Sequence, residues 1–166
     1  MPVVLYRVDE RLIHGQVVIG WGHELRPDRY LVVDDDIAES DWEQELYRLG
    51  AGSAEVSFET TADAIEALVR YAADPARTIV LTRDIRTMRR LAESGGMVGR
   101  TVNVGGLHHA TGRTKVLTYV HLAPGEVEDV QRILDAGARV QARDLPDAPK
   151  VDLADELGLT EDADDA

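Results

Sequence analysis

Seven apolar runs of strand length, separated by segments of helical periodicity, limit what this chain can fold into more than any other feature. Residues 2–8, 30–33, 55–58, 78–81, 101–104, 115–120 and 139–142 read as strands. The segments between most of them read as helices. One runs from about Gln16 to Leu25, and a second opens at Ser40-Asp41 and closes near Leu49-Gly50. A third spans residues 61–73. A fourth is capped by Thr82 or Asp84 and ends at Ser94-Gly95-Gly96, and a fifth starts at Pro124 and closes at Ala136-Gly137. Ser, Thr or Asp at the start and Gly at the end mark most of these boundaries. Repeated strand–helix–strand with short connections predicts an α/β fold. Its sheet is mostly parallel and twisted, with about six to seven strands and helices on both faces. In such a sheet the ligand site lies beyond the C-terminal ends of the strands, in the loops that lead into helices.

At 166 residues the chain fits one domain, read here as residues 1–145, followed by an acidic tail at 146–166. The stretch from Asp147 to Ala166 holds eight acids against one Lys and so carries −7 of the total −13. That tail reads as a solvated, frayed end with one short helix around residues 153–157. An acidic chain of this kind is a poor partner for nucleic acid, whose phosphates reward clustered Lys and Arg. The absence of cysteine excludes disulfides, a thiolate nucleophile and cysteine-ligated zinc. No apolar run approaches the roughly 18 residues of a membrane span. The N-terminus lacks the layout of a secretory signal. A cytoplasmic protein is expected.

The loop after the first strand is the richest in chemistry: Arg7-Val8-Asp9-Glu10-Arg11-Leu12-Ile13-His14-Gly15-Gln16-Val17. His14 precedes a helix N-terminus, where unpaired N–H groups and the positive dipole end favour an anion. Arg11 adds a permanent charge whose fork suits phosphate, and Gly15 leaves room for close backbone approach. A neutral imidazole attacks phosphorus near neutral pH, so these parts suit a phosphohistidine. Asp9 is placed either to accept the second imidazole N–H or to hold Arg11. The competing interpretation is a structural Asp9–Arg11 ion pair with His14 as a helix cap.

Two further loops carry candidate residues. Asp34-Asp35-Asp36 follows a buried strand. Such a cluster can bind magnesium and accept a phosphoryl group, or simply favour the helix that begins near Ser40. The expectation taken forward is that one of these acids, Asp35 in particular, bonds to the backbone or to Arg11 and shapes the first loop. Gly105-Gly106 lies beside the first loop if the strands are neighbours, and offers either bare backbone to a phosphate or a plain tight turn. His108-His109 lacks a suitably spaced third metal ligand, so no metal is expected, although His108 is placed to line the same surface. His23 and His121 carry nothing specific, and Trp21, Trp42 and Tyr47 read as core or rim aromatics.

The run from Arg7 to Val17 closely resembles the N-terminal signature of IIB components of the mannose/fructose/sorbose family of the bacterial sugar phosphotransferase system. Val32-Val33-Asp34-Asp35-Asp36-Ile37-Ala38 and Val102-Asn103-Val104-Gly105-Gly106 are similar to the family in order and spacing. The resemblance implies that His14 accepts a phosphoryl group from a phosphohistidine on a IIA component. His14 then passes it to a sugar bound by the membrane components IIC and IID. By position the resemblance implies Arg11 as the flanking Arg, and the chemistry of the loops adds Asp9, Gly15, Gln16, Arg7, Asp35, Gly105 and Gly106 as supporting residues, with no cofactor expected. The resemblance also implies a location at the inner face of the membrane through these partners. No IIA-like segment is seen, so a separate donor is expected, and a homodimer is left open. Residues 107–113 differ from mannose-type members, which leaves the sugar open. A regulatory phosphoprotein of an incomplete system would have the same sequence.

Overall fold

The computed structural model describes residues 2–159. Its strands are β1 (Val3–Val8), β2 (Arg29–Val33), β3 (Glu55–Glu59), β4 (Thr78–Thr82), β5 (Thr101–Val104), β6 (Thr114–Leu117), β7 (Val120–Leu122), β8 (Arg139–Ala142) and β9 (Val151–Asp152). A π-helical stretch, Gln16–Trp21, runs directly into α1 (Gly22–Leu25). The other helices are α2 (Asp41–Gly50), α3 (Thr61–Ala73), α4 (Ile85–Leu91), α5 (Pro124–Asp135) and α6 (Leu153–Leu157). None of the described helices is long and apolar enough to cross a membrane.

Seven strands form one sheet in the order β3-β2-β4-β1-β5-β8-β9, parallel except for the last pair. Residues on the central strands alternate between two faces, and helices cover both, which is why these strands are apolar throughout. Leu31, Val33 and Val80 pack with Ala64, Leu68, Ile85 and Met88 under α3, α4 and α5. Tyr30, Val32, Ile79 and Leu81 pack with Leu12, Val17 and Ile37 on the opposite face. Asp84 caps α4 as read in the sequence, the cap of α3 is Thr60, one residue before the expected start, and Ser40 makes no side-chain cap bond at α2. Thr60 accepts a hydrogen bond from the Asp63 amide, and Asp84 accepts one from that of Thr87 at 2.7 Å.

Chain order and sheet order diverge at β1. The chain leaves β1, builds β2 and β3 on one side, returns through β4, and then builds β5 on the other side. β1 therefore lies between β4 and β5. Its last residue, Val8, is level with Thr82 and Val104. The loops after these three strands converge at one point of the sheet's C-terminal edge, the place where α/β sheets bind ligands.

Two expectations need correction. Residues 115–120 are not one strand of the sheet. β6 and β7 pair antiparallel as a separate hairpin, whose β6 side chains are half-buried or exposed. The second correction concerns the acidic tail. Residues 146–159 pack onto the domain: β9 pairs antiparallel with β8, and Leu153 and Ala154 of α6 are buried in the core. Charge density obscured this, because the acids lie on the outer side while Leu153 and Ala154, with Val151, Leu157 and Leu159 beside them, pack against the core. The short helix at 153–157 is present, whereas residues 160–166 of the tail lie outside the described residues. Leu153→Ala is expected to lower stability by about 2–5 kcal/mol, the range for a buried leucine, measured by chemical denaturation.

Candidate active site

The signature loop is tied to both neighbouring strands through its backbone. The Asp9 amide donates to Thr82 O at 3.0 Å, the Glu10 amide to Gly106 O at 2.9 Å, and the Gly105 amide to Val8 O at 2.8 Å. The chain then turns sharply. Leu12 sits in the left-handed region at φ 54°, with its amide donating to Asp9 O at 3.0 Å. A non-glycine residue held there costs about 1–3 kcal/mol, a cost offset by surrounding structure. Here the offset is burial: the Leu12 side chain is fully enclosed in the core, and the turn leaves Arg11 and His14 on the outside. The helix begins at His14, whose carbonyl accepts from the Val17 and Val18 amides. The Gly15 and Gln16 amides ahead of these two stand at the helix start, where N–H groups lack an intrahelical acceptor, so the positive end of the helix lies beside the imidazole.

Asp9 is the hub of the site. Its carboxylate is fully buried. Oδ2 lies 3.1 Å from His14 Nε2 and 3.1 Å from Arg7 Nη2, while Oδ1 accepts from the Arg11 amide at 3.1 Å. Burial raises the carboxyl's pKa. The hydrogen bond from His14 and the charge of Arg7 outweigh it, and the Arg11 amide adds to them, leaving it at about 2. Asp9 is therefore an anion at neutral pH and accepts Nε2–H. The His14 side chain is 15% exposed, enough for its other nitrogen to meet a partner. Arg11 is 43% exposed and held by Gln16, which accepts from Nη2 at 2.9 Å. Asp9 thus both receives the imidazole N–H and lies 3.7 Å from Arg11 Nε.

Arg7 supports the site from inside the fold. It is completely buried, so it contributes no charge to a docking face. Nη1 donates to Asn103 Oδ1 at 2.5 Å and to Arg143 O at 2.9 Å, and Nη2 donates to Asp144 O at 3.1 Å. Its guanidinium also lies over the Trp21 ring. Arg7 thus fixes Asp9 from behind and joins β1 to the segment after β8. Asn103 was visible only as part of a motif, and the carbonyls of Arg143 and Asp144 had no sequence signal at all.

The glycine pair serves this arrangement. A Cβ at Gly105 would stand 2.1 Å from Arg7 Nη2, so glycine there makes room for the guanidinium and not for a phosphate. A Cβ at Gly106 would meet Asp9 Oδ1 at 3.3 Å and Arg11 Nη2 at 3.4 Å. At Gly15 a Cβ would meet nothing within 4 Å, so open space adjoins the helix start. Gly105→Ala is expected to displace Arg7 and destabilise the fold by about 1–3 kcal/mol, as overpacking does. The check is its melting temperature alongside that of Gly15→Ala, which is expected to stay near wild type.

Asp35 is not part of the cluster. It accepts from the Thr61 amide at 2.7 Å, which holds its pKa down, and lies 3.9 Å from Arg90. Asp34 accepts from the Asp36 and Ile37 amides. These acids serve the backbone of their own loop and the start of α3; none bonds to Arg11. On the opposite side, the exposed His108 places Nδ1 2.8 Å from Glu10 Oε2. Arg113 bonds to Glu10 and to the His108 carbonyl, and pairs with Glu126 at 2.9 Å. Glu10 and Arg113 were missed because their partners are about a hundred residues apart. His109 turns away and meets His121 edge-on. Among the described residues, no three His, Cys, Asp or Glu side chains form a group that could hold a metal.

The sequence pattern that defines the sorbose-subfamily IIB components of the phosphotransferase system matches residues 3–166. The chain belongs to that family. It is 33% identical to N-acetylgalactosamine-specific phosphotransferase enzyme IIB component 2 of Escherichia coli, over 92% of this chain and 98% of that protein. The crystal structure of N-acetylgalactosamine-specific IIB component 1 from Escherichia coli superposes with a TM-score of 0.82 at 29% identity, covering 90% and 97% of the two chains. The IIBSor domain of the sorbose permease from Klebsiella pneumoniae shares the fold, with a TM-score of 0.85 at 22% identity over 99% of each chain. IIB components of this family are phosphotransferases of sugar-uptake systems.

Proposed function

We propose that this IIB component carries a phosphoryl group on Nδ1 of His14. The group is received from a phosphohistidine on a IIA component and delivered to a sugar held by the membrane components IIC and IID. The observation that carries this reading is the 3.1 Å contact between His14 Nε2 and the buried Asp9 carboxylate. An anion fixed there keeps the proton on Nε2 and leaves the lone pair on Nδ1. In the first transfer that lone pair attacks phosphorus, a new N–P bond forms, and the donor's N–P bond breaks with its electron pair returning to the donor imidazole. In the second, a sugar hydroxyl attacks, an O–P bond forms, and the bond to Nδ1 breaks. The hydroxyl proton passes to a base beside the sugar.

Arg11 and the first-turn amides supply positive charge where the phosphoryl oxygens would sit, and the open space at Gly15 leaves them accessible. Asp9 stabilises the ring as it gains positive character in both transfers. Neither step needs a bound metal or nucleotide, and the work would take place at the cytoplasmic face of the membrane. The test is long-range 1H–15N NMR of the imidazole before and after loading. The free protein is expected to hold the proton on Nε2, and the loaded protein to carry phosphorus on Nδ1. Phosphorus on Nε2 would remove the role assigned to Asp9.

A further inference from the structure

Behind the Asp9–His14 pair lies a tryptophan that takes no direct part in the phosphoryl chemistry. Trp21 ends the π-helical stretch that begins two residues after His14, and it is buried. The Arg7 guanidinium lies over its ring, 5.3 Å from the centroid. The indole Nε1–H donates to Asp144 O at 2.9 Å, and the same carbonyl accepts from Arg7 Nη2 at 3.1 Å. Trp21 therefore meets Arg7 twice, through its ring and through a shared acceptor. Arg7 Nη2 in turn donates to Asp9 Oδ2, the atom that lies 3.1 Å from His14 Nε2. Arg7 Nε has no hydrogen-bond acceptor among the described residues, so an electron-rich ring compensates a cation that is kept from water.

The local sequence serves this contact. Val17 and Trp21 share the buried side of the π-helical stretch, while Ile19 points outward. Gly20 is bare where it needs to be. A Cβ there would stand 2.9 Å from Leu145 Cδ2, so its absence lets the chain at 144–145 lie close enough for Asp144 O to reach the indole.

Resting on the role proposed for His14, we propose that Trp21 is a positioning residue of the phosphoryl site. It holds Arg7, Arg7 holds the Asp9 carboxylate, and the carboxylate keeps the proton on His14 Nε2. A packing role alone would give Trp21 a share in stability and none in the protonation of Asp9 or His14. Arg7 is among the groups that hold the Asp9 carboxyl down against burial, so a displaced guanidinium lets that carboxyl titrate higher.

The experiment is NMR of the full, unphosphorylated chain, comparing wild type with Trp21→Phe, Trp21→Leu and the exposed-site control Trp42→Leu. Side-chain 13C titration reads Asp9, and long-range 1H–15N spectra read the His14 tautomer. Trp21→Leu is expected to move the Asp9 titration up from about 2 towards the ordinary 3.8 and to populate the Nδ1–H tautomer. Trp21→Phe keeps a ring and loses the indole N–H, so it should fall between Trp21→Leu and wild type. Trp42→Leu should match wild type. In steady-state loading by phospho-IIA, kcat of Trp21→Leu should fall by about tenfold to a hundredfold, the scale of a misplaced reacting group, with KM near wild type. A lowered melting temperature with Asp9 and His14 unchanged would overturn the proposal. If Trp21→Leu does not fold, wild-type Asp9 and His14 behaviour in Trp21→Phe overturns it equally. The NMR arm needs no phosphoryl transfer. Failure of the phosphohistidine reading would show separately, as labelling that persists in His14→Ala.

Discussion

His14→Ala is expected to abolish phosphoryl uptake altogether when phosphoenolpyruvate feeds the general relay proteins and a cognate IIA. Wild type should carry an acid-labile, base-stable label, and the variant none. The size of the effect follows from the chemistry: removing the nucleophile removes the covalent intermediate, and no other group in the cluster replaces it. Asp9 is buried and engaged by Arg7, His14 and the Arg11 amide, and Arg7 and Arg11 are cations. The imidazole is part-exposed and belongs to neither apolar core cluster, so its loss should leave the fold intact. Label surviving in His14→Ala would move the site elsewhere. Asp35, 60% exposed, would be the next position to replace.

Asp9→Asn should have the second largest effect and act on both rate and stability. An amide removes the charge that holds the proton on Nε2, so the tautomers become comparable and the ring loses its counter-ion during transfer. Loss of a buried carboxylate behind a catalytic histidine costs on the order of 10²–10⁴ in rate. The substitution also leaves the fully buried Arg7 without its anion, a change worth about 3–5 kcal/mol. Acid should reproduce part of this in wild type. The Asp9 pKa is lowered, from 3.8 to about 2, so its contribution is fully present above pH 4 and is lost as pH falls through about 2. That contribution is about 2 kcal/mol. Denaturant unfolding of wild type and Asp9→Asn across pH 2–5 should show the two stabilities converging at the acid end. Curves that stay parallel would mean that Asp9 is not the group that titrates.

Much of the site could be read in the sequence because its parts are local. Asp9, Arg11, His14 and Gln16 lie within eight residues of one loop, and a strand followed by a helix places such a loop at the edge of a parallel sheet. The same local logic gave α2, α3, α4 and α5 from their caps and periodicity. Locality also explains the errors. Asp35 looked like a candidate because its strand ends at the same edge, but β4 separates β2 from β1 and its acids cap their own loop. The strand at 115–120 had the right composition, and nothing local revealed that it would fold into a hairpin off the sheet.

The sequence by itself determined the α/β class, the covered parallel sheet, and the loop and histidine proposed here as the phosphoryl site, because periodicity, capping and a contiguous motif are properties of neighbouring residues. Only the tertiary structure decided the roles around that histidine. It turned Arg7 inward, made Gly105 a space for a guanidinium, anchored residues 146–159 through Leu153, and set Trp21 against Asp144. Each of these depends on residues tens to more than a hundred positions apart. Burial and charge pairing across such distances are fixed by packing, to which a single sequence gives no local signal.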